Sequence, residues 1–70
     1  MKKNYYVLPV KNGCWAVRRE GSIKNLTIHS LRVSAWREAR RLARGSGVEA
    51  LLFGRDGDII TRTLYTPLSA

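Results

Sequence analysis

Two turn pairs, Asn12-Gly13 and Asp56-Gly57, set the tightest limit on what this chain can become. Such pairs accept the positive φ that a tight hairpin needs, so each predicts two antiparallel strands joined end to end. Residues 5–10 and 14–19 flank the first pair, and residues 49–54 and 58–64 flank the second. With a two-residue loop, Lys11 faces Cys14. Counting back, Val10 faces Trp15, Leu8 faces Val17 and Tyr6 faces Arg19. That set is bulkier and more apolar than Pro9 with Ala16, Val7 with Arg18 and Tyr5 with Glu20, so it is the expected core face. Pro9 has no N–H to give to a ladder, which predicts an edge strand or a strand irregularity there. In the second hairpin two registers fit, one with Leu51, Phe53 and Ile60 inward and one with Leu52 and Ile59 inward. A bulge at Gly54 or Gly57 would shift the choice.

Between the hairpins, Glu20-Gly21-Ser22 reads as a turn and residues 26–29 as a short third strand. A helix follows, with Ser30 as candidate N-cap and Ser34 as competitor. Val33, Trp36, Ala39 and Ala43, flanked by Ala35 and Leu42, recur at helical spacing and predict one apolar face. The helix stops at Gly45-Ser46-Gly47, where a glycine can take the left-handed terminal conformation. Residues 65–70 read as a frayed tail. The expected fold is a small single α+β domain in the order β-β-β-α-β-β. It has an antiparallel sheet of two hairpins plus a short strand, with one amphipathic helix packed on it. The whole chain is one domain, with an ordered core over about residues 4–65 and a tail at 66–70.

Composition narrows the chemistry. A chain of 70 residues buries a modest core and is stable by only about 4–10 kcal/mol. One cysteine, Cys14, allows no internal disulfide, which fits a reducing cytoplasm. One cysteine and one histidine, His29, cannot make a structural zinc site. The apolar run after the N-terminal lysines is too short for a signal peptide, and no stretch reaches membrane-span length. His29 has no carboxylate or nucleophile partner at a telling spacing, and Cys14 has no base. Asp56 and Asp58 flank a turn without the further ligands of a calcium loop. No phosphate-binding glycine loop or paired catalytic carboxylates occur. A soluble, cytoplasmic, non-enzymatic protein without cofactor or metal is therefore expected.

The charge is the unusual quantity: thirteen Lys and Arg against five Asp and Glu give +8, with a pI near 10.6. An anionic partner is the natural expectation. Two groups of residues are candidates for nucleic-acid binding. Arg37, Arg40, Arg41 and Arg44 fall opposite the apolar helix face, where forked guanidinium donors suit phosphate oxygens. The plain alternative is a solvated face whose cations favour the helix C-terminus. Lys11, Arg18, Arg19 and Tyr5 form the second group, on the outer side of the first hairpin, where rings can stack on bases. The plain alternative there is a mixed solvent surface. An acidic protein surface would serve as an anion equally well, and a patch with Trp36, Phe53 or Leu64 left exposed would point to a protein partner or a homodimer.

The ordered set Tyr5, Val7, Pro9; Trp15, Ala16, Val17, Glu20, Gly21; Leu42, Ala43; Gly47, Glu49; and Gly54-Arg55-Asp56-Gly57 resembles a family of small uncharacterised bacterial proteins over about residues 5–65. The resemblance implies a fold and no activity, so it carries no functional residues over. The helix start differs from the family, with Ser30-Leu31 where an Asp-Thr pair is frequent, and Trp36 stands for a smaller apolar residue. A looser similarity, at the level of fold, is to the small DNA-binding domains at the N-termini of some phage-type integrases, which lay a three-stranded sheet into the major groove.

Overall fold

A computed structural model describes residues 3–65. Its elements are β1 (Tyr5–Pro9), β2 (Trp15–Arg19), β3 (Asn25–His29), α1 (Arg32–Ser46), β4 (Glu49–Phe53) and β5 (Ile59–Leu64). The five strands form one sheet in the order β3-β2-β1-β4-β5, and α1 lies across one face. Class and element order are those read from the sequence. The sheet is mixed, because β1 and β4 pair in parallel while the other three pairings are antiparallel. Parity explains this. After three alternating strands the helix runs back along the sheet, so β4 sets out in the same direction as β1. β1 is thus central, not an edge. Pro9 is tolerated because the β1–β4 ladder ends at Val7 and Leu52, leaving Pro9 beside an irregularity.

That irregularity overturns the expected register of the first hairpin. Asn12 (φ 63°) and Gly13 (φ 72°) do form the tight turn, and the Cys14 N–H donates to the Lys11 carbonyl at 3.3 Å. However, the Cys14 carbonyl accepts from the Val10 N–H at 2.9 Å. Cys14 therefore opposes both Val10 and Lys11, which is a β-bulge. Beyond it Pro9 faces Trp15, Leu8 faces Ala16, Val7 faces Val17, Tyr6 faces Arg18 and Tyr5 faces Arg19. A slip of one residue exchanges the two faces of a strand. Val7 and Tyr5 turn toward α1, and Leu8 and Tyr6 turn away.

The core joins Val7, Trp15, Val17, Val48, Ala50 and Leu52 to Ala35, Ala39 and Ala43 of the helix, with Tyr5, Trp36, Leu42 and Tyr65 packed at its rim. Three alanines at four-residue spacing present almost no side chain, so α1 settles close to the sheet. Val33, expected on this face, is 57% exposed, because it lies about 200° around the helix from Ala35. In β4, Leu52 points to the helix, Leu51 and Phe53 point away, and a bulge falls between Leu52 and Phe53. Ile59 pairs with Phe53 and so sits on the outer side, not inward with Leu52.

Neither Ser30 nor Ser34 caps the helix. Leu31 is the N-cap in extended conformation, with no side-chain hydrogen bond, since Ser30 precedes the cap and Ser34 is already inside the first turn. The C-terminus ends as expected. Gly47 is left-handed (φ 68°), and its N–H reaches the carbonyls of Ala43 and Arg44. The tail expected over 66–70 lies outside the described residues. Tyr65 itself belongs to the fold, with its N–H on the Val48 carbonyl at 3.2 Å.

Asn4 ties three strands together. Its N–H donates to Glu20 Oε1 at 3.0 Å, its carbonyl accepts from the Glu20 N–H at 2.8 Å, and its Oδ1 accepts from the Glu49 N–H at 3.0 Å. Asn4→Ala leaves the half-buried Glu49 N–H without this partner and is expected to cost about 1–3 kcal/mol in urea unfolding. Ala39→Leu overfills a fully buried position of the helix–sheet contact and is expected to cost about 1–3 kcal/mol in the same measurement.

Candidate nucleic-acid interface

The alanine stripe that seats α1 on the sheet fixes where its arginines go. Residues at helical spacing on the far side face solvent, and Arg37, Arg40, Arg41 and Arg44 together line one shallow groove of about 260 Å³. From Arg37 to Arg44 the helix rises about 10 Å. A nucleic-acid duplex places several phosphates within that length.

The four guanidinium groups are held differently. Arg41 is paired with Glu38, its Nη2 lying 2.7 Å from Oε2 and its Nε 3.0 Å from Oε1. These hydrogen bonds hold the Glu38 carboxyl below its ordinary range and raise Arg41 further above its own. Arg40 lies over the Trp36 ring, 5.8 Å from its centroid, and its Nε is covered without a hydrogen-bond partner among the described residues. Arg44 lies 5.3 Å over the ring of Tyr65. Arg37 is exposed, with no ion pair among the described residues. Ring stacking fixes the direction of two cations without neutralising them, and among the described residues Glu38 is the one carboxylate paired with the groove.

The hairpin candidates do not assemble into one surface. Arg18 lies on the sheet face away from α1, with Nε and Nη2 both donating to Asn25 Oδ1 at 3.0 and 2.7 Å. Arg19 and Tyr5 pair with each other on the helix side, where Tyr5 packs against the core. Lys11 is exposed in the turn at the opposite end of β2. The bulge that inverted β1 is the reason, because it exchanged Tyr5 for Tyr6 as the ring beside Arg18. Burial, and then the Glu20 carboxylate beside it, push the Tyr6 hydroxyl above its ordinary pKa. The outer sheet face also carries Leu8, Ala16, Ile28 and Phe53, so it is not the polar surface that a sheet in a DNA groove would present.

Two cations that sequence reasoning missed, Arg32 and Arg55, lie 5.6 and 5.4 Å over the same Trp15 ring. One starts the helix and the other sits in the second hairpin turn, so no local pattern links them. Only the packed position of Trp15 brings both to one place. His29 Nε2 is 2.9 Å from Thr27 Oγ1, and Cys14 is a free thiol. Among the described residues no three His, Cys, Asp or Glu gather to hold a metal, and no helix is long and apolar enough to cross a membrane.

The Glu38–Arg41 pair is solvent-facing, so Glu38→Gln is expected to change stability by less than about 0.5 kcal/mol at neutral pH. Because the folded-state pKa of Glu38 is lowered, its contribution is complete above the unfolded carboxyl pKa. It is lost as pH falls through the folded value. Urea titrations of both proteins should therefore converge in acid and separate slightly at neutral pH.

No curated protein and no solved structure matches the chain. A family profile described as an uncharacterised protein conserved in bacteria does match, over residues 5–65. This span holds every strand, the helix and the arginine groove, and the chain belongs to that family, DUF2188.

Proposed function

We propose that this protein is a non-enzymatic, cytoplasmic nucleic-acid-binding protein whose contacts are made to phosphates by the arginine groove of α1. The observation that carries the reading is the convergence of Arg37, Arg40, Arg41 and Arg44 on one groove, where among the described residues Glu38 alone pairs with an arginine. Five arginines on a fifteen-residue helix, four of them on this groove, supply much of the chain's +8 and exceed what solubility asks of a small domain. Trp36 and Tyr65 present rings beside two of the guanidiniums, which also suits stacking on unpaired bases. The proposed contacts are to phosphates, which carry no base identity, so the binding is weakly sequence-specific.

A second reading is that the groove covers an acidic, DNA-like protein surface. The large side chains exposed on the sheet, Ile28, Ile59 and Leu64 among them, favour a protein contact somewhere on the molecule. A pull-down from bacterial lysate with and without nuclease separates the two. Partners lost on nuclease treatment support nucleic acid, and partners retained support the protein surface.

Fluorescence anisotropy with a short DNA duplex and a single-stranded RNA tests the first reading directly. Affinity is expected to fall steeply with salt, with a log–log slope of about −3 for three or four phosphate contacts. Arg37→Ala and Arg44→Ala should each flatten that slope by about 1. Arg18→Gln, on the other face, should leave the slope unchanged. Glu38→Gln frees Arg41 and should strengthen binding several-fold. Absence of binding to either probe at about 50 mM salt overturns the proposal, because phosphate-dominated affinity is greatest when salt is low.

A further inference from the structure

The sheet face turned away from α1 carries an apolar row that crosses all five strands. Ala16 pairs with Ile28 on one side and Leu8 on the other. Val7 pairs with Leu52, which sets the next residue, Leu8, beside Phe53. Phe53 in turn pairs with Ile59. The row Ile28–Ala16–Leu8–Phe53–Ile59 has no polar member. The matching row on the helix side is Thr27–Val17–Val7–Leu52–Thr61. The two rows differ at the edges. The face covered by α1 ends in threonines, whereas the open face ends in isoleucines, Ile28 at 59% and Ile59 at 46% exposure. A solvated sheet face alternates the other way, with polar residues outward.

We propose that this open face is the interface of a homodimer, covered by the same face of a second copy. Charge argues for a second copy joined here. The helix side carries the arginine groove, and two such surfaces would repel. On the open face Arg62 Nε lies 2.6 Å from Glu49 Oε2, and the Arg18 fork is fixed by the neutral Asn25, so this face carries less unpaired positive charge than the groove. Shape argues the same way. A two-fold axis parallel to the strands and beneath Leu8 reverses the row. Ile28 of one copy then meets Ile59 of the other and Leu8 meets Leu8, while Phe53 lies over the strand that carries the fully buried Ala16. Arg18 comes opposite Leu51 rather than another arginine. Isologous contact of this kind is the commonest route to a closed dimer.

Five strands span about 19 Å, so the contact is on the order of 1,000 Å² counted over both copies, near the lower limit of specific interfaces. The dimer is accordingly reversible. It places the two α1 grooves on opposite outer surfaces, where their charges are far apart and each is open to its own ligand.

Sedimentation equilibrium over a wide protein concentration range, without nucleic acid, tests this independently of the binding reading. The mass is expected to rise from 7.9 kDa toward twice that value. The double variant I28E/I59E changes only exposed positions and should keep its circular dichroism while remaining monomeric throughout, because the axis sets like charges against each other. I28E/I59K sets opposite charges against each other across the same axis and should associate at least tenfold more tightly than I28E/I59E. A wild type that stays monomeric at every concentration overturns the proposal. So does an I28E/I59E protein that dimerises as tightly as wild type, which would place the contact on another surface. Equal association of the two double variants refutes the proposed two-fold axis.

Discussion

The arrangement of this molecule depends on one carbonyl that accepts across a bulge. Cys14 closes the Asn12-Gly13 turn through its N–H and accepts from Val10 through its C=O, so two residues of the first strand stand against one of the second. Everything upstream moves by one position. Val7 becomes the centre of the core, between Val17 and Leu52. Leu8 becomes the middle of the apolar row on the other face. Without the bulge, Val7 would face outward beside Arg18, and the helix would have to cover Tyr6 and Leu8 instead.

The helix meets this sheet through an unusually slight surface. Ala35, Ala39 and Ala43 are fully buried, and the larger Trp36 and Leu42 pack only at the rim. A narrow stripe of small side chains leaves most of the helix circumference free. That freedom is occupied by arginine, including Arg32 at the helix start, where a cation opposes the helix dipole and is held instead over Trp15. The cost of crowding cations on one helix is reduced by Glu38 and by ring stacking, not by burial.

The result is a molecule with two dissimilar sides. One side has a helix whose arginines are directed outward, and this side supports the proposed phosphate contacts. The other has a sheet on which Arg62 is paired with Glu49 and whose central row is apolar, and this side supports the proposed self-association. In a small domain with both a strong positive charge and surplus aliphatic side chains, separating the two onto opposite faces lets each be used without weakening the other.

Turn chemistry and helical periodicity are local properties, and they were legible in the residues. Asn12, Gly13, Gly57 and Gly47 each take a positive φ that few other residues accept, so the turns and the helix end follow directly. The arginine spacing on α1 likewise places four guanidiniums on one side of any helix that buries its alanines. What the sequence could not disclose was pairing. A bulge is one backbone hydrogen bond among alternatives of similar energy, and it decided the faces of Tyr5, Val7 and Leu8. The parallel partnership of β1 and β4 and the meeting of Arg32 with Arg55 over Trp15 join positions far apart in the chain. So the sequence by itself determined the elements, the turns and the basic helix. Tertiary structure alone decided which side of the sheet is core and which is left apolar and open, because a strand's two faces differ only by register, and register is set by its neighbours.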